Sequence, residues 1–496
     1  MPFAAVTRLT SDAHAPGRGR RPVAAERPGS CRVSSSHFCW LAGPDNTLLR
    51  RSLGAVKSKV KQKFPKLGTW AAEDFSALMP YRHLEPLKGE REVTVIEQPR
   101  NRAASAASGV GDVVALIASG RARTRAALVQ IMGLSRSTIS QRLDVLFNAG
   151  LVHESTETLQ SGGRPAKTLV LNKDFGVIAA VDIGEQHVRV ALTDMSPTVL
   201  VERTAELDIH TGPETVLQSI TSHIKALFAE IDRPTTDLLG IGLGLPAPVD
   251  FAASRVVGFS VLTGWDGFDI AGWFARDFDA PVLADNDVNL LALAEHRRNW
   301  PTCDYLFYVK AGNGIGSGIV TRGLMYRGAQ GAAGDIGHTA VRGHGDPLCR
   351  CGNAGCVEAL AAGWALVRDL RAAGFGVNNA ADVVALAERG QPEAIRELRK
   401  AGRILGEAIA NATSLLNPGV IVVGGVLSLA GDYLLAGVRE VVYQRTLPLA
   451  TRQLQITGEH LDERGGVLGA TQLVLDNALE PTNIERMLER LGQVTN

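Results

Sequence analysis

Four residues past the middle of the chain have the types and spacing of a metal site. Cys349, Cys351 and Cys356 share one short glycine-containing stretch, and His338 precedes it. Three thiols and an imidazole make the closed tetrahedral donor set that suits structural zinc. With every position filled by protein, such a centre has no open place at which to activate water. Only six cysteines occur in 496 residues, and four of them fall between Cys303 and Cys356. That is too sparse for a disulfide scaffold, so the cluster reads as a local site in a reducing, cytoplasmic setting. Free thiols or a chance disulfide are the competing reading.

A second group is Ala284-Asp285-Asn286-Asp287-Val288-Asn289, at an expected strand-to-helix junction. Carboxylates and amides at the end of a parallel strand point into a cleft. There they can grip sugar hydroxyls bidentately, and Asp287 could act as a general base. The same residues could instead cap the helix that begins near Val288. A third group is the set of glycine-rich turns at Asp182-Ile183-Gly184, Gly312–Gly318 and Gly424-Gly425. Backbone amides in such turns can cradle phosphate, although plain strand connections give the same pattern.

The elements that must position these groups follow from periodicity. Residues 176–479 alternate strands and helices, which implies an α/β fold. Val177–Ile183 and Val188–Thr193 form an apolar hairpin. Thr215–Ile231 is an amphipathic helix with Val216, Ile220, Ile224, Leu227 and Ile231 on one face. Leu239–Leu245 and Pro281–Ala284 are buried strands. A second cycle opens at Tyr305–Lys310, and its glycine turn echoes the first. A duplicated unit with a cleft between its halves is expected.

Residues 109–172 have a different character. Val113, Val114, Leu116 and Ile117 fit one helix. Thr124 caps a second, carrying Ala127, Leu128 and Ile131; Gly133 turns the chain, and Ser135 caps a third. Ile139, Leu143 and Leu146 of that third helix face inward. Its other face shows Arg136, Ser137, Thr138, Ser140, Gln141 and Arg142, side chains suited to base edges and phosphates of double-stranded DNA. A hairpin with Arg164 near its glycine tip follows. The arrangement resembles a winged helix–turn–helix of the bacterial repressor type, whose third helix enters the major groove. A plain three-helix packing module is the alternative.

Charge divides the chain. Residues 1–102 hold 18 Lys and Arg against nine Asp and Glu, and the remainder holds 34 against 42. The basic stretch over residues 1–105 has no sustained periodicity and reads as a disordered, solvated extension. Residues 480–496 form a short helix whose Ile484, Met487, Leu488 and Leu491 stripe is a packing face. No apolar run approaches the ~18 residues of a membrane span, and the N-terminus lacks a signal core, so a cytoplasmic protein is expected.

The body resembles the ROK family of repressors, open reading frames and sugar kinases. The likeness rests on five motifs in order: Asp182-Ile183-Gly184; Gly242-Leu243-Gly244-Leu245-Pro246-Ala247-Pro248; Asn286-Asp287-Val288-Asn289; Gly312–Gly318 through Gly334-Asp335-Ile336-Gly337-His338; and the cysteine loop ending in Val357-Glu358. It implies a two-lobed, actin-like, hexokinase-type ATPase fold. It implies sugar contacts from Asn286, Asp287, Asp335, His338 and Glu358, with Asp287 the base in a kinase. It places nucleotide phosphates at Asp182, Gly184, Gly312, Gly314, Gly316, Gly424 and Gly425, and gives zinc a structural role behind the sugar loop.

Three departures matter. Glu185-Gln186 stands where family kinases carry Gly-Thr, and a carboxylate there repels ATP. Asn313 replaces the hydroxyl of Gly-Thr-Gly, and Asp335 is one methylene shorter than the usual Glu. The expectation is a sugar-responsive DNA-binding repressor, a homodimer or homotetramer. Its effector is a sugar or sugar phosphate in the interlobe cleft, and ATP is not its cofactor. The alternative is an active ATP-dependent sugar kinase with an appended domain.

Overall fold

Short polar residues set the first boundaries. The computed structural model describes residues 109–492, apart from 160–165, 259–261 and 345–346. The basic extension over residues 1–105 and Arg164 lie outside the described residues. Helix α1 is Val110–Ala118, α2 is Arg125–Met132 and α3 is Arg136–Asn148. The Thr124 hydroxyl accepts the Ala127 amide, and the Ser135 hydroxyl accepts the Thr138 amide, so both expected caps form. Gly133 turns the chain between α2 and α3 with φ +66°, a conformation that suits glycine. Strands β1 (Val152–Leu159) and β2 (Ala166–Leu171) pair antiparallel as the wing.

Two five-stranded sheets follow, with the same topology. In the first lobe β3 (Val177–Ile183), β4 (His187–Thr193) and β5 (Val199–Glu206) run antiparallel. Helix α4 (Pro213–Glu230) leads to β6 (Leu238–Leu245) and then β7 (Val282–Asn286), parallel to β3. Helix α5 (Asp287–Asn299) crosses to the second lobe. There β8 (Tyr305–Ala311), β9 (Ile315–Thr321) and β10 (Leu324–Met325) repeat the antiparallel meander. Helix α6 (Val357–Ala361) and the long α7 (Pro392–Leu416) precede β11 (Val420–Gly424). Helix α8 (Asp432–Arg445) then leads to β12 (Gln455–Gly458), and both strands run parallel to β8. The duplicated α/β fold expected from the sequence is the fold observed.

Each sheet is covered on both faces. Val216, Ile220, Ile224 and Leu227 of α4 bury against one face of the first sheet. Helices α7 and α8 bury Leu398, Leu405, Leu434 and Val438 against one face of the second. Between the sheets lie α5 and α9 (Gly465–Ala478). Val467, Ala470 and Leu473 of α9 pack on Ala180, Ala191 and the Leu290–Leu293 stretch of α5. Val288 and Ala292 of α5 also pack on Leu306, Tyr308 and Val320 of the second sheet. The glycine run was expected to be one turn over Gly312–Gly318. The strand instead begins at Ile315, and a Cβ at Gly318 would lie 2.6 Å from that of Ala292. The later glycines let α5 approach the sheet.

The C-terminal helix α10 (Pro481–Arg490) packs into the core of the N-terminal head, residues 109–172. Ile484 and Leu488 are fully buried with Val113, Val114 and Ile117 of α1 and Leu143 and Leu146 of α3. Leu491, assigned to the same stripe, is half exposed because the helix ends at Arg490. Val474 and Leu475 of α9, and Ile178 of β3, belong to that same core. A Cβ at Gly111 would lie 2.3 Å from the Pro481 carbonyl oxygen, so α1 and α10 touch backbone to backbone. Ile484→Ala or Leu488→Ala removes a side chain that head and body share. Each is expected to cost about 2–5 kcal/mol in denaturant unfolding of the full chain. A loss within about 0.5 kcal/mol, the scale of a surface change, contradicts the shared core.

Candidate functional site

The strand-to-helix junction at β7 and α5 shows a division of labour. Asp285 is buried, and its Oδ2 accepts Arg327 Nε at 2.8 Å and Nη2 at 2.7 Å. Its Oδ1 accepts the Asn286 amide and the Asn289 side chain, both at 2.8 Å. Arg327 also stacks on Phe251, 3.7 Å from the ring centroid. Asp285 therefore binds both Asn289 and Arg327, and these side chains do not point freely into the cleft as their position suggested. Asn286 caps α5: its Oδ1 accepts the Val288 amide at 3.0 Å, and its Nδ2 donates to the Ala247 carbonyl at 3.1 Å. Sequence could not separate capping from ligand contact here, and the capping is real.

Asp287 occupies the first turn of α5, where a helix N-terminus favours a carboxylate. Its Oδ2 lies 2.5 Å from Lys310 Nζ on β8. Lys310 was not foreseen, because a lone lysine in an apolar strand gives no signal of its own. Burial alone would depress its ammonium. The Asp287 charge and hydrogen bond, with Asp182 and Glu459 behind, hold it above its ordinary value. Burial raises the Asp182 carboxyl, against the pull of Lys310. Burial likewise raises Glu459, against hydrogen bonds from Tyr308 and the Gly425 amide. One ammonium thus serves three carboxylates where the lobes meet.

The β8–β9 hairpin brings the remaining sugar candidates near. Glu358 on α6 accepts the Ile315 amide at 3.1 Å through Oε2 and the Trp364 indole at 3.4 Å through Oε1. The Glu358 amide donates to the Gly337 carbonyl at 2.9 Å, which sets α6 beside the 334–338 loop. That loop lies on β9, where Ser317 donates to the Gly334 carbonyl. Asp335 is exposed, and its Oδ1 accepts the His338 amide at 3.3 Å.

His338 and the three cysteines converge on one point. Their donor atoms all lie within 4.8 Å of one another. Cys349 Sγ is 3.7 Å from His338 Nδ1, and Cys351 Sγ is 3.7 Å from Cys356 Sγ. Zinc–sulfur bonds of about 2.3 Å at tetrahedral angles give edges of nearly that length. Burial and the neighbouring thiols push the Cys356 thiol up to about 12, whereas Cys351 is lowered. The set fits a metal that takes soft donors. The loop it would pin leads directly through Cys356 into α6 and Glu358.

The profile of the ROK family matches residues 178–477.

This chain belongs to the ROK family.

It is 27% identical over 370 residues to the xylose repressor of Caldicellulosiruptor bescii, a match covering 72% of this chain and 92% of that one. It is 28% identical over 320 residues to the glucokinase of Halalkalibacterium halodurans, covering 61% of this chain and 97% of that one. Among solved structures it is similar in fold to a ROK family transcriptional regulator described as a homologue of the Escherichia coli MLC protein. That likeness has a TM-score of 0.67 at 24% identity, over 76% of this chain and 98% of that one.

Within this ROK chain, side chains of its own lie close to the expected phosphate positions. Asn313 Nδ2 donates to Glu185 Oε2 at 2.7 Å, so two of the three departures from the kinase pattern bond to each other across the lobes. The Gly425 amide, at φ +81°, donates to Glu459 Oε2 at 3.1 Å, and Tyr308 donates to Glu459 Oε1 at 2.7 Å. A Cβ at Gly424 would lie 2.1 Å from the Tyr308 hydroxyl. Gly314 and Gly316 admit Glu358 and Val288, each 3.0 Å from where a Cβ would stand. A Cβ at Gly184 would strike the His187 ring, and one at Gly312 would stand 3.5 Å from Lys310 Cε. The Asp182 carboxylate lies against Gly466 in the first turn of α9, 2.3 Å from where a Cβ there would stand.

On the N-terminal head, Arg136, Ser137 and Gln141 are exposed along α3. The Thr138 hydroxyl pairs with that of Ser135 at 2.8 Å, and Ser140 accepts Arg125 at 3.3 Å. These two seat the helix. Arg142 is half-buried. Arg125, which sequence did not single out, also bonds Glu154 on the wing at 3.2 Å, and Lys167 bonds the same carboxylate at 2.9 Å.

Lys310→Met leaves the Asp182 and Asp287 carboxylates without their counter-ion. The expected loss of stability at pH 7.5 is on the order of 3 kcal/mol. A carboxyl with a raised folded pKa favours the folded state more as pH falls through that value. The deficit in melting temperature relative to the native chain is therefore expected to shrink between pH 7.5 and 5. A deficit that is constant or grows would contradict the cluster.

Proposed function

We propose that this chain is a sugar-responsive DNA-binding repressor of the ROK family, with its effector held beside Asp287 between the lobes. One observation carries the reading: the capped helix α3 sits on a head whose hydrophobic core continues into α9 of the sugar-kinase-like body. The length of the matches supports it. The glucokinase match has about the extent of the 178–477 segment, whereas the xylose repressor match is longer.

Each step in the mechanism is a contact. A sugar hydroxyl donating to Asp287 competes with Lys310 for that carboxylate. Glu358 and Asp335 supply further acceptors from the second lobe. Asp287 begins α5, and a Cβ on Gly469 of α9 would lie 2.1 Å from the Leu290 carbonyl oxygen of α5, so the two helices move together. The far end of α9 lies in the core of the head. A sugar that favours one lobe arrangement therefore re-aims α3. In a dimer or tetramer, paired α3 helices would meet half-sites one helical turn or more apart. Arg136, Gln141 and Arg142 would face base edges or phosphates, with Ser137 beside them.

Phosphoryl transfer is no part of this reading. The base of a kinase would be Asp287, which Lys310 engages. The amide of Gly425, which would face a phosphate, is given to Glu459. In a gel shift on the DNA upstream of its own gene, the chain is expected to bind at low salt and release with one sugar of a panel. Arg136→Ala is expected to weaken binding about 5- to 150-fold and relax specificity at one base, whereas uniform weakening would mark a phosphate contact. Failure to bind, or binding indifferent to every sugar, would sink the proposal. ADP release with a hexose that is lost in Asp287→Asn would favour a kinase instead.

Zinc is the metal we assign to His338, Cys349, Cys351 and Cys356. When bound it holds four donors in a closed tetrahedron and fixes the loop that leads to Glu358. Metal analysis of the purified chain is expected to give about one equivalent per chain. Chelation should lower the melting temperature and weaken sugar binding. Metal-free protein that melts at the same temperature would refute the structural role.

A further inference from the structure

The DNA-binding reading names side chains of α3 that would meet a duplex, and leaves open what the acid beside them does. Resting on that reading, we infer that Glu154 sets operator specificity: it fixes Arg125 as a phosphate contact at the seam between α3 and the wing, and withholds charge that would serve any duplex.

Glu154 on β1 takes two cations at once. Its Oε1 accepts Arg125 Nε at 3.3 Å and Nη2 at 3.2 Å, and its Oε2 takes Lys167 Nζ at 2.9 Å. The hydrogen bond from Lys167 holds the carboxyl below its ordinary value against the opposite pull of burial, and Arg125 adds to the effect. The acid is the least exposed of the three, its side chain 27% exposed against 44% for Arg125 and 69% for Lys167. Solvent therefore meets the cations, with their counter-charge behind.

Arg125 is held from two further sides. It opens α2, the first helix of the helix–turn–helix, and in such motifs that helix crosses the DNA backbone. Its Nη1 donates to Ser140 on α3 at 3.3 Å, and its guanidinium lies 5.4 Å from the centroid of the Phe147 ring. Ser140 is one helical turn from Arg136 and adjoins Gln141. Of the five N–H groups of a guanidinium, Glu154 and Ser140 engage three, which leaves two on the Nη atoms for phosphate oxygens. Phosphate contacts fix the register in which base-reading side chains meet the groove. A guanidinium clamped beside α3 supplies a fixed register, whereas a loose one supplies only charge.

Charge explains the second half of the inference. Arg125, Lys167 and Glu154 are two cations against one anion. Loss of the carboxylate would free both cations, and free cations gain affinity for every duplex alike by releasing counter-ions. Arg121 and Arg123 already offer such charge. They are exposed on either side of buried Ala122, in the segment whose Arg123 carbonyl accepts the Leu169 amide of the wing at 2.8 Å.

The test is a salt series of fluorescence-anisotropy titrations on the full chain, with the duplex upstream of its own gene and a random-sequence duplex of equal length. Arg125→Ala should weaken both duplexes alike, on the order of 10-fold at about 0.1 M salt, and reduce the slope of log K against log salt by about 1. Glu154→Gln should tighten the random duplex and lower the upstream-to-random affinity ratio about 5-fold. Arg125→Lys keeps the charge but loses the fork, so it should hold the salt slope while lowering that ratio. Exposed ion pairs add little stability, so all three variants are expected to melt with the native chain. Unchanged affinity and slope in Arg125→Ala, or a loss on the upstream duplex alone, overturns the phosphate contact and leaves the DNA-binding reading standing. An unchanged ratio in Glu154→Gln overturns the role of the carboxylate. A native chain that binds neither duplex at low salt, or both alike, overturns the repressor reading and this inference together.

Discussion

Val474 and Leu475, near the end of α9, are buried with Val113, Val114 and Ile117 of the N-terminal head, so head and first lobe share one core. A 64-residue head with its own separate core would be an independent body on a tether. This head borrows α9 and α10, so it cannot tilt without repacking side chains that also belong to the first lobe. Packed interiors shift between discrete arrangements rather than bending continuously. Coupling between sites needs such an element, with two arrangements that both sites can bias.

The other end of α9 meets the charged centre. Asp182 lies against Gly466, and the Leu290 carbonyl lies against Gly469. Two glycines on one helix thus let a carboxylate and a neighbouring helix come to backbone distance. The same centre holds Lys310 with Asp287 and Glu459. In a kinase the equivalent space must receive a nucleotide, a mobile cation and a transferred phosphoryl group. Here Glu459 takes the Gly425 amide, Asp182 lies against Gly466, and the Lys310 ammonium stands beside Asp287.

Local signals in the sequence were legible, and distant ones were not. Thr124 and Ser135 were readable because a cap is made within three residues of itself. Ile139, Leu143 and Leu146 were readable because helical spacing puts them on one face. The cysteine loop was readable because thiols five and two residues apart in one short loop have few other uses. Lys310 gave no such signal, and Glu459 meets Tyr308 across 151 positions of sequence. Glu185 and Asn313 were each noticed as departures, but only the fold shows that they bond to each other. Asn286 could be read either as a cap or as a ligand contact, and the fold shows that its side chain makes the cap. The stripe on α10 was recognised as a packing face, yet its partner, the head, could not be named from spacing.

If saccharide and operator DNA bias the same equilibrium, linkage makes their effects on each other reciprocal. The direct measurement is the dissociation constant of the inducing sugar, taken by titration with the full chain free and again with it saturated by operator duplex. DNA is expected to weaken sugar binding by the same factor by which sugar weakens DNA binding, within the roughly 5- to 150-fold range of such couplings. Identical sugar affinities in the two titrations would contradict it.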